Sequence, residues 1–268
     1  VPGVLTGAVT SADGTRIVFD RGGAGPPVVF VHGAMSDRTF PVLAELAGAL
    51  APRFTVFNYD RRGRGGSGDT QPYAVQREIE DIGALIREAG GPVMVFGGSS
   101  GAALAAAAAA AGLAISKLAL WEPPYHVDDT APALPDDFGS QLDALVRAGR
   151  PGDAVALFMT AAAEIPADQV EWMRGQPFWP QTEAVGHTLV YEAAVMGPGN
   201  ALPSGRLASV KAPTLVLTGG DSPAWMTSAG RAVAAAVPGA VHRVLAGQSH
   251  NPAPGALAPE LLEFFLAS

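Results

Sequence analysis

The 268-residue sequence predicts an α/β fold, a mostly parallel, doubly wound sheet interrupted by a long helical insertion. Three observations carry that prediction. Short apolar runs of strand length alternate with longer helical patterns along most of the chain. The runs are continuously apolar rather than alternating, as in strands covered on both faces. The alternation stops between about residues 123 and 203, where helical patterns follow one another with no convincing strand.

The elements follow in order. Residues 5–10 and 16–20 flank the turn signal Ala12-Asp13-Gly14 and read as a hairpin. Residues 28–31, in PPVVFVHG, form the first buried strand. A helix at 39–50 and a strand at 55–59 (FTVFNYD) come next, then the glycine-rich loop 60–68 (DRRGRGGSG) and a helix at 74–89. A strand at 93–96, a helix at 100–111 and a strand at 117–120 continue the rhythm. That helix is nearly all alanine, and small side chains let a helix lie close to a sheet. In the insertion, helices are expected at 138–148, 153–164, 168–174 and 182–196. The rhythm resumes with a strand at 214–217, a helix at 226–237, a strand at 241–245 and a helix at 257–266.

Buried strands joined by helices imply helices on both faces of the sheet. The insertion is expected over the carboxyl ends of the strands, the edge where such sheets bind ligands. Its proline-rich flanks, 122–135 and 197–203, read as hinges rather than as linkers between independent domains. The expected division is a core of residues 1–122 and 204–268 and a helical cap of residues 123–203.

Composition narrows the chemistry. Hydrophobic residues make up 48 % of the chain and charged residues 16 %, which marks a globular protein. A net charge of −8 argues against a nucleic-acid partner. With no cysteine, disulfides, thiolate nucleophiles and cysteine-based metal sites are excluded. The first residues lack the basic start and apolar run of a signal peptide, so a cytoplasmic location is expected. No apolar stretch is long enough to span a membrane, and no membrane partner is expected. A homodimer is compatible with the sequence, which sets no oligomeric state. Arg61, Arg62 and Arg64 lie in a loop without the Walker pattern, so its glycines read as turn formers rather than a phosphate cradle.

The stretch VMVFGGSSGAAL, residues 93–104, carries the most specific signal. Gly97-Gly98-Ser99-Ser100-Gly101 fits G-x-S-x-G with Ser99 at its centre, between a predicted strand and a predicted helix. A sharp strand-to-helix turn lifts the central hydroxyl above the sheet. Glycines two positions to either side avoid collision with the backbone. Centring on Ser100 puts Gly98 and Ala102 in those places, a poorer fit. A serine hydroxyl needs a base, and the base needs an acid to orient it. Of the five histidines, His250 follows the last predicted strand and returns to the sheet edge of Ser99. His242 lies within that strand, and His126 and His187 lie in the insertion.

With His32-Gly33 after an early strand, the 60–68 loop, Gly97–Gly101 and His250 in place, the chain resembles the α/β-hydrolase superfamily over nearly its whole length. The resemblance implies the α/β-hydrolase fold with a helical cap inserted after the sixth strand. The leading expectation is a serine hydrolase acting on an uncharged, fairly hydrophobic ester or lactone, with no metal and no cofactor, since the resemblance is specific for fold and not for substrate. Two carboxylates compete as the acid. Asp221 (LVLTGGDSPAW) lies after a late strand, where the superfamily most often keeps it, but one residue early for the usual G-x-x-D-P. Glu122 (LALWEPPY) follows the sixth strand, where some relatives place the acid. It is the preferred candidate, because a glutamate buried between Trp121 and Pro123 needs a partner. The oxyanion donors are expected at the backbone N–H groups of Ser100 and Ala34, with Met35 the alternative to Ala34. Met35, Trp121, Trp172, Phe178, His187 and Tyr191 are the candidates to touch substrate. Carbon–carbon hydrolysis, peracid formation, cofactor-free chemistry on the same residues, and a binding protein with little turnover are the competing functions.

Overall fold

The computed structural model of the chain describes residues 3–267. Eight strands form one sheet: β1 (Leu5–Thr10), β2 (Arg16–Gly22), β3 (Pro27–Val31), β4 (Thr55–Tyr59), β5 (Val93–Gly98), β6 (Ile115–Trp121), β7 (Thr214–Gly219) and β8 (Val241–Leu245). Their spatial order is β1-β2-β4-β3-β5-β6-β7-β8. The first two are antiparallel to their neighbours, and every pair from β4 to β8 is parallel. This is the doubly wound arrangement that the apolar runs predict.

The order matters for function. The chain leaves β3 toward β4 on one side and returns to β5 on the other. The carboxyl ends of β3 and β5 therefore flank the switch point, where a crevice opens in open α/β sheets. His32 follows β3 and Ser99 follows β5, so the topology puts both at that crevice.

Two apolar layers hold the sheet. On one face, α1 (Pro41–Leu50) and α11 (Pro254–Leu266) pack together through Leu46, Leu50, Leu261 and Phe265. On the other, α2 (Val75–Glu88), α3 (Ser100–Ala110) and α10 (Ala224–Ala236) cover Val29, Val95, Leu118 and Val216. Every residue of α3 from Ser100 to Ala109 is buried. Alanine suits this position because the helix lies against β5, β6 and α2 at once.

Between β6 and β7 the chain is helical: α4 (Phe138–Arg147), α5 (Pro151–Ala161), α6 (Ala167–Arg174), α7 (Trp179–Ala184), α8 (Leu189–Met196) and the short α9 (Ser204–Leu207). Among the described residues, the one β contact there is an isolated bridge between His126 and Ala201. Phe138, Leu142, Val155, Trp179 and Leu189 form a separate apolar cluster, against which Ala34 and Met35 of the core are packed. The continuous helix expected at 182–196 is broken into α7, a 3₁₀ turn at Gly186–Thr188, and α8. The break lets the chain pass the backbone of Pro151, since a Cβ at Gly186 would lie 2.6 Å from the Pro151 carbonyl oxygen. No helix among the described residues is long and apolar enough to cross a membrane.

Candidate active site

Ser99 sits alone between β5 and α3 with φ 56° and ψ −131°. A non-glycine residue held there costs about 1–3 kcal/mol, so the surroundings must enforce it. The Ser99 N–H donates to the Trp121 carbonyl at 2.8 Å, and the Ser99 carbonyl accepts from the Ala102 N–H at 2.8 Å. The neighbouring glycines make the turn sterically feasible. A Cβ at position 97 would lie 2.6 Å from the Gly101 carbonyl oxygen, and one at position 101 would lie 2.3 Å from that of Val31. At Gly98 a Cβ would meet nothing within 4 Å. The steric demand thus brackets Ser99 rather than Ser100, and the Ser100 side chain is buried.

His250 lies in the loop between β8 and α11. Its Nδ1 is 2.7 Å from Glu122 Oε2, and its carbonyl accepts from Trp121 Nε1 at 2.9 Å. Glu122 is fully buried, the first residue beyond β6, with φ 44°. Its other oxygen, Oε1, accepts from the Gly219 N–H at 2.7 Å. Both carboxylate oxygens are therefore satisfied, as a buried charge requires. A carboxylate on Nδ1 selects the tautomer with the proton there and leaves Nε2 as an acceptor. Ser99 and His250 border the same cavity but are not hydrogen-bonded to one another. Such bonds are often loose before substrate is bound. Asp221 is elsewhere. Its side chain is exposed and makes no hydrogen bond among the described residues, while its N–H donates to the Gln248 carbonyl at 2.9 Å. Glu122, not Asp221, is the carboxylate that meets His250.

The cavity has a volume of about 450 Å³, within the usual range for a small-molecule site. Core loops and insertion both line it. Phe158 and Met196 of the insertion face Trp121 and the Ser99 turn of the core, and no Lys or Arg is among the lining residues.

The profile of the alpha/beta hydrolase family matches residues 28–260. The chain belongs to this family. An alpha/beta hydrolase from Sphaerobacter thermophilus DSM 20745 has a similar structure at 54 % identity, with a TM-score of 0.89 over 97 % of this chain and 100 % of that one. A thermophilic esterase from Thermogutta terrifontis superposes with a TM-score of 0.73 at 21 % identity, over 97 % of this chain and 98 % of that one. An enol-lactonase from Burkholderia xenovorans LB400 does so with a TM-score of 0.74 at 20 % identity, over 98 % and 100 %. At those lower identities the likeness is one of fold. No match was found among curated proteins.

In this alpha/beta hydrolase the sequence-derived site residues divide into two groups. Ala34, Met35, Ser99, Ser100, Trp121 and His250 border the cavity, and Glu122 stands behind His250. Trp172, Phe178, His187 and Tyr191 do not border it. Trp172 and Phe178 are 62 % and 47 % exposed on the outer side of the insertion. His187 Nε2 lies 3.3 Å from Asp69 Oδ2. Tyr191 stacks on Tyr73 at 3.8 Å and 3°, with its hydroxyl donating to Asp69. Size and hydrophobicity drew attention to Trp172 and Phe178, and a capacity for polar contacts to His187 and Tyr191, but none of the four faces the crevice.

Other residues of the hydrolase stand outside that set of candidates. His126 borders the cavity with its ring edge-on to Trp225, whose Nε1 donates to Glu164 at 3.0 Å. His32 is fully buried, its Nε2 donating to Asn58 Oδ1 at 2.5 Å, and burial pushes its pKa down to about 4. The arginines of the 60–68 loop are buried ion-pair partners, not flexible loop residues. Arg61 holds Glu78 through two bonds of 2.7 Å, and Arg62 holds Asp81 through two of 2.8 Å. Arg64 and Arg61 share Glu192 of α8. Burial pushes the Glu192 carboxyl up, but Arg61 and Arg64 outweigh it and hold it below the ordinary value. A readable signal existed: consecutive arginines followed by carboxylates three apart on the buried side of a helix.

Proposed function

We propose that this alpha/beta hydrolase is a serine hydrolase that cleaves uncharged, fairly hydrophobic esters or lactones through an acyl-enzyme. The observation that carries the reading is the buried Glu122 on Nδ1 of His250, at the cavity bordered by the strained Ser99 turn.

Ser99 Oγ attacks the substrate carbonyl while His250 Nε2 takes its proton. Glu122 keeps the imidazole in the accepting tautomer and stabilises the imidazolium. The carbonyl electron pair moves onto oxygen, where the backbone N–H groups of Ser100 and Ala34 receive it. Ser100 is the first residue of α3, so its N–H has no partner within the helix. Each such donor contributes on the order of 100- to 1,000-fold in rate. Collapse expels the alkoxide, which takes the proton from His250 Nε2. A water then attacks the acyl carbon as His250 accepts its proton, and Ser99 leaves protonated. The mechanism needs no cofactor. The helical segment 123–203 acts as a cap that excludes water and supplies apolar contact. The absence of Lys and Arg from the lining disfavours an anionic acyl group.

The test combines labelling with turnover. A fluorophosphonate probe is expected to modify Ser99 in the wild type, and Ser99→Ala is expected to lose ester hydrolysis by several decades with an unchanged melting temperature. Normal turnover in Ser99→Ala would overturn the mechanism. A wild type silent toward the probe and toward esters would favour a binding protein instead.

A further inference from the structure

We propose that Arg64, held by Glu192, is a positioning residue that aims the Ala34 N–H into the cavity. The inference rests on the serine-hydrolase reading above and extends it to Arg64, which does not line the cavity, and to Glu192, which reaches the cavity wall from α8.

The geometry begins with one peptide group. The Gly33 carbonyl and the Ala34 N–H belong to the same planar trans unit, so they point in opposite directions. Arg64 Nη1 donates to the Gly33 carbonyl oxygen at 2.5 Å, and Ser36 Oγ donates to it at 3.1 Å. Two donors on one side fix the plane, and the N–H must face the other way. Ala34 borders the cavity, and among the described residues its N–H has no hydrogen-bond partner. A backbone donor kept free at a cavity wall is what an oxyanion site requires.

The same cation does more than one job. Arg64 Nη1 also reaches the Ser36 carbonyl at 3.3 Å, Nε reaches Thr188 Oγ1 at 3.3 Å, and Nη2 pairs with Glu192 Oε1. Arg61 holds the preceding carbonyl, that of His32, at 3.0 Å. The loop after β3 is thus pinned by its carbonyls at His32, Gly33 and Ser36. A planar guanidinium spreads five N–H donors over three nitrogens in a rigid fork, a span that the three donors of a single ammonium nitrogen do not cover. A charged donor on the carbonyl also polarises the peptide, which strengthens the opposite N–H by roughly 10–30 %.

Stability alone does not explain the cluster. Arg61, Arg64, Glu78 and Glu192 are all buried, and their charges cancel. Replacing buried ion pairs with apolar groups is often neutral or stabilising. Apolar side chains, however, cannot hold three carbonyls. Glu192 comes from the insertion, so the cluster ties α8 to the loop that carries the donor.

The experiment uses Arg64→Met/Glu192→Gln, which removes one charge pair and leaves Arg61 balanced by Glu78. Losing one oxyanion donor outright costs about 100- to 1,000-fold, so misaiming it is expected to lower kcat by about 10- to 100-fold. KM should stay within about 3-fold, and affinity for an alkyl boronic acid, which forms a tetrahedral anion on Ser99, should fall in step with kcat. Arg64→Lys should restore only part of the loss. A folded double variant with kcat and boronate affinity within about 3-fold of wild type would overturn the inference. So would parallel losses in kcat, KM and melting temperature, which a structural role alone produces. If the double variant does not fold, Ser36→Ala decides. It should lower kcat by about 2- to 5-fold at constant KM, in line with one weak hydrogen bond, and no change would refute the role. Wild-type labelling at Ser99 separates the two claims. An unlabelled wild type removes both, whereas a labelled wild type with unaffected variants removes only the role of Arg64.

Discussion

Glu122→Gln isolates the electrostatic part of the proposed mechanism. The amide keeps the shape of the carboxylate, and its oxygen still accepts from the Gly219 N–H. Its NH2 then faces His250 Nδ1, where the carboxylate oxygen stood at 2.7 Å. Two penalties follow. The amide donates to Nδ1 and so selects the tautomer with the proton on Nε2, which cannot accept from Ser99. The imidazolium also loses its counter-charge. Glu122 is fully buried, but the His250 side chain is 39 % exposed, so the high effective dielectric applies. With charge centres about 4 Å apart and a dielectric of about 20, the attraction is about 4 kcal/mol. That corresponds to about three decades in rate, and the wrong tautomer adds to it. Ester hydrolysis followed at neutral pH should therefore show kcat/KM reduced by about 10³- to 10⁴-fold. The melting temperature should hold or rise, because a buried charge is removed. Asp221→Asn should remain within about 2-fold of wild type, as a surface change away from the site. If Glu122→Gln stays within tenfold of wild type while Asp221→Asn loses decades, Glu122 is not the acid.

Two further outcomes follow from the site. Because burial pushes His32 from 6.5 to about 4, the unfolded chain binds a proton between those values that the folded chain does not. Stability should fall as pH drops through this window, by up to about 3 kcal/mol. Urea unfolding of His32→Gln should show a flatter dependence there, and identical slopes would exclude the effect. Phe158 borders the cavity, whereas Trp172 lies outside it. Phe158→Ala should raise KM for a hydrophobic ester by about 5- to 30-fold, from the loss of 1–2 kcal/mol of apolar contact, while Trp172→Ala leaves KM unchanged. A comparable rise in Trp172→Ala would mean that substrate binds elsewhere.

What the sequence discloses is largely what local sterics enforce. The apolar run of β5 reads as a buried strand on its own. The glycine at 97 can be assigned from the turn alone, because a Cβ there would strike Gly101 of the same turn, whereas the glycine at 101 is required by the Val31 and His32 carbonyls of the neighbouring strand end. The 182–196 helix fails for the opposite reason. Its apolar spacing runs on through residue 186, and the break is imposed by Pro151, a contact from another helix. Trp172 and Phe178 fail likewise: a large apolar side chain shows that something is to be covered, not which side of the helix faces it. The buried arginines look like loop residues because their carboxylates arrive from elsewhere. Glu192 pairs with Arg64 across 128 positions.

Which of Glu122 and Asp221 meets His250 is set by strand pairing rather than by motif spacing. Both follow strands that lie side by side, with Trp121 in register with Leu217. Glu122 therefore emerges beside the end of β7, and its N–H donates to the Leu217 carbonyl at 2.9 Å while its side chain caps Gly219. That double attachment turns the carboxylate inward, toward the loop bearing His250. By Asp221 the chain has left the sheet. Its N–H is taken by Gln248, and the side chain points to solvent. A motif counted along one strand cannot register this, because the bond that fixes Glu122 joins residues 97 positions apart. The proposed acid stands at a strand end held by its neighbour, with β7 holding the end of β6.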